Sequence, residues 1–128
     1  LPAGCINVQA IRRNEIVAML ADQSATYNKG IFVDLICIPS VTYKAPAALT
    51  LHYDIPILVV FAERMTDSTY STKILEILHD DFQKDKKGII ELTHWHIDAL
   101  EQAIRRKPEL RAWKHRRSKH EPKSEKSK

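Results

Sequence analysis

Thr93-His94-Trp95-His96-Ile97-Asp98 places two imidazoles and a carboxylate within a few positions of one another, at the end of an apolar run in a 128-residue chain. In an extended strand His94 and His96 share one face, so the two could meet a divalent ion, with Asp98 following as a further candidate ligand. Metal-assisted hydrolysis needs several such ligands and a coordination position left open for water. The competing reading is two surface imidazoles at a strand end, with no metal bound. Other chemistries have less to stand on. Cys37 falls in the middle of an apolar strand, where a thiolate is disfavoured, and no serine sits in a Gly-x-Ser-x-Gly turn. Glycine occurs only at 4, 30 and 88, which leaves no Walker loop or dinucleotide fingerprint and hence no expected nucleotide or other cofactor. Ser40, Thr42, Thr66 and Ser68 follow apolar runs where a phosphate could sit, and they read more simply as turn and capping residues.

The elements that must position these groups centre on residues 31–61. Ile31 to Ile38 and Ile55 to Phe61 are apolar runs of strand length with little alternation, the pattern of strands buried on both faces. Between them, Tyr43 to Tyr53 predicts a short helix with Pro46 in its first turn. Two strands joined by such a segment are most simply parallel, with a right-handed crossover. Cys5 to Ile11 adds a candidate strand, and Arg12 to Tyr27 a helix capped by Asn14 and closed at Gly30 in a left-handed conformation. Thr69 to Phe82 spaces Ile74, Leu75, Ile77, Leu78 and Phe82 as an amphipathic helix capped by Asp67 or Ser68. Ile89 to Trp95 predicts a strand and Ile97 to Arg106 a helix that stops near Pro108. The expected fold is an α/β domain over residues 1–110. It is a three-layer α-β-α sandwich around a small, mostly parallel sheet of three or four strands.

The His-x-His segment resembles the opening of the metal-binding signature of the metallo-β-lactamase family, in which a following Asp-His pair completes the ligand set. Ala99 stands where that pattern ends in His. A metal-dependent hydrolase using His94, His96 and Asp98 is accordingly the third of three functional readings.

Charge divides the chain. Residues 1–104 carry 9 Lys or Arg against 13 Asp or Glu, a net −4, and residues 105–128 carry 11 against 3, a net +8. Residues 111–128 hold one aromatic and almost no aliphatics, so they are expected to form a disordered basic tail that contacts phosphates or acts as an address. Cys5 and Cys37 lack CxxC spacing and read as reduced, partly buried thiols, which suits an intracellular protein. No apolar run approaches a membrane span, so no membrane partner is expected.

Arg12 to Leu20 (RRNEIVAML), the strand VDLICIPS, a helix and the strand DIPILVVF resemble, in order and spacing, the kink-turn RNA-binding ribosomal protein family, the L-seven-Ae-like group, over about residues 10–65. That resemblance implies an α-β-α sandwich in which Asn14 and Glu15 contact sheared base pairs and the Ala62 to Met65 loop, with Arg64, borders the same groove. Arg12 and Arg13 beside a helix N-terminus would add a phosphate site. In the tail, Trp113 could stack on a base among Arg111, Lys114, Arg116 and Arg117. The leading expectation is therefore a non-enzymatic RNA-binding or ribonucleoprotein subunit, with RNA or protein subunits of a complex as partners. Its expected compartment is the nucleus or nucleolus, with an organelle as second choice. The second functional reading is a structural, protein-docking subunit of a larger assembly.

Overall fold

The structure, a computed structural model, describes residues 3–20, 25–77 and 79–110. In chain order it comprises α1 (Ala3–Arg12), β1 (Gly30–Leu35), β2 (Ile38–Tyr43), α2 (Ala45–Tyr53), β3 (Ile57–Arg64), β4 (Tyr70–Ile77) and α3 (Lys86–Arg106), with 3₁₀ turns at Tyr27–Lys29 and Pro108–Leu110. The strands form two separate antiparallel hairpins, β1–β2 and β3–β4. This corrects the expected α-β-α sandwich: the sheet of three or four mostly parallel strands is replaced by two sheets of two strands each.

The reversal begins inside the run that reads as a single strand. Ile36 and Cys37 both take left-handed conformations, with φ 55° and 59°, and this two-residue turn pairs Leu35 with Ile38. Such turns match the twist of the flanking strands but favour Asn-Gly, because side chains are strained at positive φ. An Ile-Cys turn therefore carries no local signal. Pro39 does not end the ladder; it pairs with Asp34. The pair next to the closing one in a two-residue hairpin lacks mutual hydrogen bonds, so the missing N–H of Pro39 costs the ladder nothing. Gly30 is extended rather than left-handed, with φ −129°. Its role is close approach: a Cβ there would lie 2.6 Å from the Thr42 carbonyl oxygen and 2.8 Å from Ala25 Cβ.

The helix over Tyr43 to Tyr53 does form, as α2, with Pro46 in its first turn. Asp54 ends it at φ 56°, and the Ile55 amide reaches back to the Thr50 carbonyl at 3.2 Å. This is the wrapped C-terminal motif that satisfies carbonyls a helix end leaves open. Pro56 precedes the first paired residue of β3, where its lost donor is harmless.

β3 runs on to Arg64, past the loop expected after Phe61, and the expected helix beyond it is strand β4, paired from Arg64↔Tyr70 to Ile57↔Ile77. Asp67 does cap, but it caps a turn: its Oδ1 accepts from the Thr69 amide at 3.0 Å and the Thr69 hydroxyl at 2.6 Å. The Met65 amide donates to the Thr69 carbonyl at 2.8 Å, closing the hairpin. Ile74, Leu75 and Ile77 fit a helical spacing, but Tyr70, Thr72 and Ile74 also suit a pleated strand, and pairing with β3 decides between them. One hairpin face carries Leu58, Val60 and Ile74, each more than half exposed. The other face turns Ile57 and Val59 toward the core.

The strand and helix expected over residues 89–106 are one 21-residue helix, α3. Asp85 caps it by accepting the Gly88 amide at 2.8 Å, and a side chain at Gly88 would collide with the Gln83 backbone. Leu92, Thr93, His96, Ile97, Ala99, Ala103 and Ile104 form its buried stripe. That spacing is helical even though Ile89-Ile90-Glu91-Leu92-Thr93 is rich in strand formers. The helix joins both halves of the core. Ile97 and Ile104 pack against Val33 and Leu35 of β1, while Leu92 packs against Ala47 and Leu51 of α2 with Ile57 and Val59 of β3 beside them. Each fully buried aliphatic side chain in these clusters contributes about 1.5–3 kcal/mol.

At the other end of the chain, the candidate strand Cys5 to Ile11 lies within helix α1. Asn14, expected to start a helix, stops this one. It sits at φ 60°, its amide donates to the Ile11 carbonyl at 3.0 Å, and the Glu15 amide donates to that of Ala10 at 3.0 Å. Asn tolerates the left-handed conformation better than most residues and is the usual alternative to Gly at this position.

Candidate functional site

On helix α3 the His-x-His segment cannot act as a ligand set. Residues two apart on an α-helix project about 200° from each other, and the burial agrees: His96 is 5 % exposed, while His94 and Asp98 face outward. A face shared by His94 and His96 would require the strand that the tertiary structure replaces. The metal-dependent hydrolase reading loses its geometry with it.

The Arg12, Arg13, Asn14, Glu15 corner lies at the C-terminal end of α1 rather than at a helix N-terminus. There the macrodipole is negative, and the amides of Arg13, Asn14 and Glu15 are bonded to carbonyls of the preceding turn. Two features that would draw a phosphate, free amides and the positive end of the dipole, are therefore missing from the corner. Arg64 stands at the end of β3, exposed, with its guanidinium donating to Ser68 Oγ at 3.4 Å. Ser40 and Thr42 are buried in β2 rather than displayed in a phosphate-binding loop. Thr66 and Ser68 sit in the β3–β4 turn. Arg111, Trp113, Lys114, Arg116 and Arg117, with the rest of the expected disordered tail, lie outside the described residues. Cys5 and Cys37 are free thiols, and both are exposed rather than partly buried.

Tertiary structure instead gathers charge around three carboxylates. The Glu63 side chain, 5 % exposed on β3, receives Lys73 of β4 at 3.3 Å and Lys107, just beyond α3, at 3.1 Å. Lys107, and secondarily Lys73, hold its carboxyl below the ordinary range, against the opposing effect of burial. Glu101 of α3 accepts the Ile36 amide at 2.9 Å through Oε2 and Arg105 through Oε1, with Nη2 at 2.7 Å. The Ile36 amide is the main cause of its lowered pKa, and Arg105 the second.

The third cluster surrounds Asp54, whose Oδ1 lies 2.9 Å from Lys84 Nζ and 3.3 Å from His79 Nε2. Lys84 is the chief cause of its lowered pKa, with His79 contributing less. Asp54, His79 and Asp80 bring one ligand atom each within 4.8 Å of one another, which is close enough to share a cation. The Lys84 ammonium already meets the carboxylate that would anchor such an ion. Little in the linear sequence marked these clusters, whose members lie 10 to 65 positions apart in the contacts that define Glu63–Lys73 and Glu101–Ile36. The local cues were Asp54 between a helix and Ile55-Pro56, where a turn residue is expected, and the i,i+4 spacing of Glu101 and Arg105.

Residues 6–120 match the family described as bacterial lipid A biosynthesis acyltransferase. No curated protein matches the chain. The family match overturns the resemblance to kink-turn RNA-binding proteins and, with it, the non-enzymatic RNA-binding and protein-docking readings. It also overturns the nuclear or nucleolar compartment, because bacteria have no nucleus. The apparent likeness rested on the order of apolar runs over about half the chain, and the two hairpins show that those runs are not the strands of an α-β-α sandwich. Among the described residues no helix is long and apolar enough to cross a membrane.

Proposed function

The chain belongs to the bacterial lipid A biosynthesis acyltransferase family, and from that premise we propose that the protein takes part in transferring an acyl group to a lipid A precursor. The observation that carries the proposal is the match over residues 6–120, which takes in every strand of both hairpins together with α2 and α3. In a transfer from a thioester, the acceptor oxygen forms a bond to the acyl carbon, the carbon–sulfur bond breaks, and the hydroxyl proton ends on the departing thiol. The reaction needs a base for that proton and a donor for the developing oxyanion.

Within this scheme the described elements act as framework: α3 holds both hairpins through Leu92 on one side and Ile97 and Ile104 on the other. We assign no proton transfer to His94, His96 or Asp98: His96 is buried on the core side of α3, and His94 and Asp98, one turn apart, share its solvent face. Among the described residues His79 has carboxylates beside it, Asp54 at 3.3 Å and Asp80 at 3.8 Å, and the nearer one is bound by Lys84. An ammonium on the orienting carboxylate weakens its support for an imidazolium, so this pair is assigned a structural role.

The test is to express the protein intact and incubate it with an acyl thioester and a lipid A precursor. Mass spectrometry should show the precursor gaining one acyl group, with one free thiol released per transfer. Precursor of unchanged mass, together with failure of the gene to restore acylation in a bacterium lacking such an acyltransferase, would refute the proposal.

A further inference from the structure

We draw no further inference here: the strongest candidate, the outward apolar face of the β3–β4 hairpin formed by Leu58, Val60 and Ile74, is an unpartnered sheet face and nothing in the structure shows what covers it.

Discussion

The carboxylate of Glu101 accepts the backbone N–H of Ile36 at 2.9 Å across 65 positions of sequence. That amide belongs to a turn whose two residues are both left-handed, and a β-branched residue is among the worst suited to that conformation. Arg105 holds the same carboxylate from one helical turn further on. The bond thus ties the β1–β2 turn to α3 at a point where the turn's own sequence provides little support. Glu101→Ala should lower stability by about 1.5–3 kcal/mol, the range for a hydrogen bond to a charged group. Urea titration followed by circular dichroism gives the value, and a midpoint equal to wild type would show that the turn holds without its clamp.

The strain in the same turn can be relieved directly. Cys37 is exposed at φ 59°, so replacing it removes little packing. Cys37→Gly should stabilise the protein by up to about 1 kcal/mol, because glycine meets no steric penalty there and suits the second position of this turn type. Differential scanning calorimetry reads this as a rise in Tm. A fall would mean that the thiol contributes more than the strain costs.

Glu63 is held by two lysines of unequal exposure, Lys107 at 31 % and Lys73 at 50 % of the side chain. Solvent screens the more exposed pair more strongly. Lys107→Ala should therefore destabilise more than Lys73→Ala. The two effects should also fail to add, since removing either leaves the other as the sole partner of one buried carboxylate. Thermal denaturation of both single variants and the double variant measures this, and additive losses would place the lysines in independent roles.

Four carboxyls, Asp54, Glu63, Asp67 and Glu101, have pKa values lowered in the folded protein. A group whose folded pKa is depressed contributes stability that is present above its unfolded value and lost as pH falls through the folded one. With unfolded carboxyls titrating near pH 4, these four contributions should be intact above about pH 5 and decline as pH drops below about 4. Chemical denaturation between pH 7 and pH 3 should follow that course, and Glu101→Gln should flatten it. A loss of stability centred near pH 6 would point to histidine instead.

Leu92 is fully buried where α3 meets α2 and β3. Leu92→Ala should cost about 2–5 kcal/mol through lost transfer energy and the cavity left behind. The urea midpoint reports it, and a cost below about 1 kcal/mol would mean that the neighbouring side chains collapse into the space.

His94 and Asp98 both face solvent on α3. If the acyl transfer is as proposed, His94→Ala and Asp98→Ala should leave its rate within about twofold of wild type, since truncations at exposed positions away from a reacting centre change little. A fall of a hundredfold or more in either variant would restore this segment to the chemistry.

Local signals were sufficient wherever a segment's own residues meet its needs. Helix α2 was legible from Pro46 in its first turn and from the apolar residues that follow, and the start of β3 from Pro56, because each needs only its own backbone satisfied. Asp67 was legible as a capping residue, although what it caps is a turn. The β4 and α3 assignments failed for a common reason: Ile74, Leu75 and Ile77, like Ile89 through Trp95, mix strand-forming residues with spacings that fit a helix. Intrinsic preferences differ there by less than the packing that chooses between them.

Composition, glycine scarcity and the division of charge were set by the sequence alone, as were the apolar runs from which both core clusters are built. Whether a run continues or reverses was a tertiary matter. The left-handed Ile36-Cys37 turn is accompanied by a carboxylate arriving from α3, and β4 by pairing with β3 along its whole length. The same holds for the charged clusters, because Asp54 with His79 and Lys84, and Glu63 with Lys73 and Lys107, become neighbours only after the chain has folded. Local preferences amount to tenths of a kcal/mol per residue, whereas the buried contacts made on folding amount to about 1.5–3 kcal/mol per aliphatic side chain, so the latter decided the architecture.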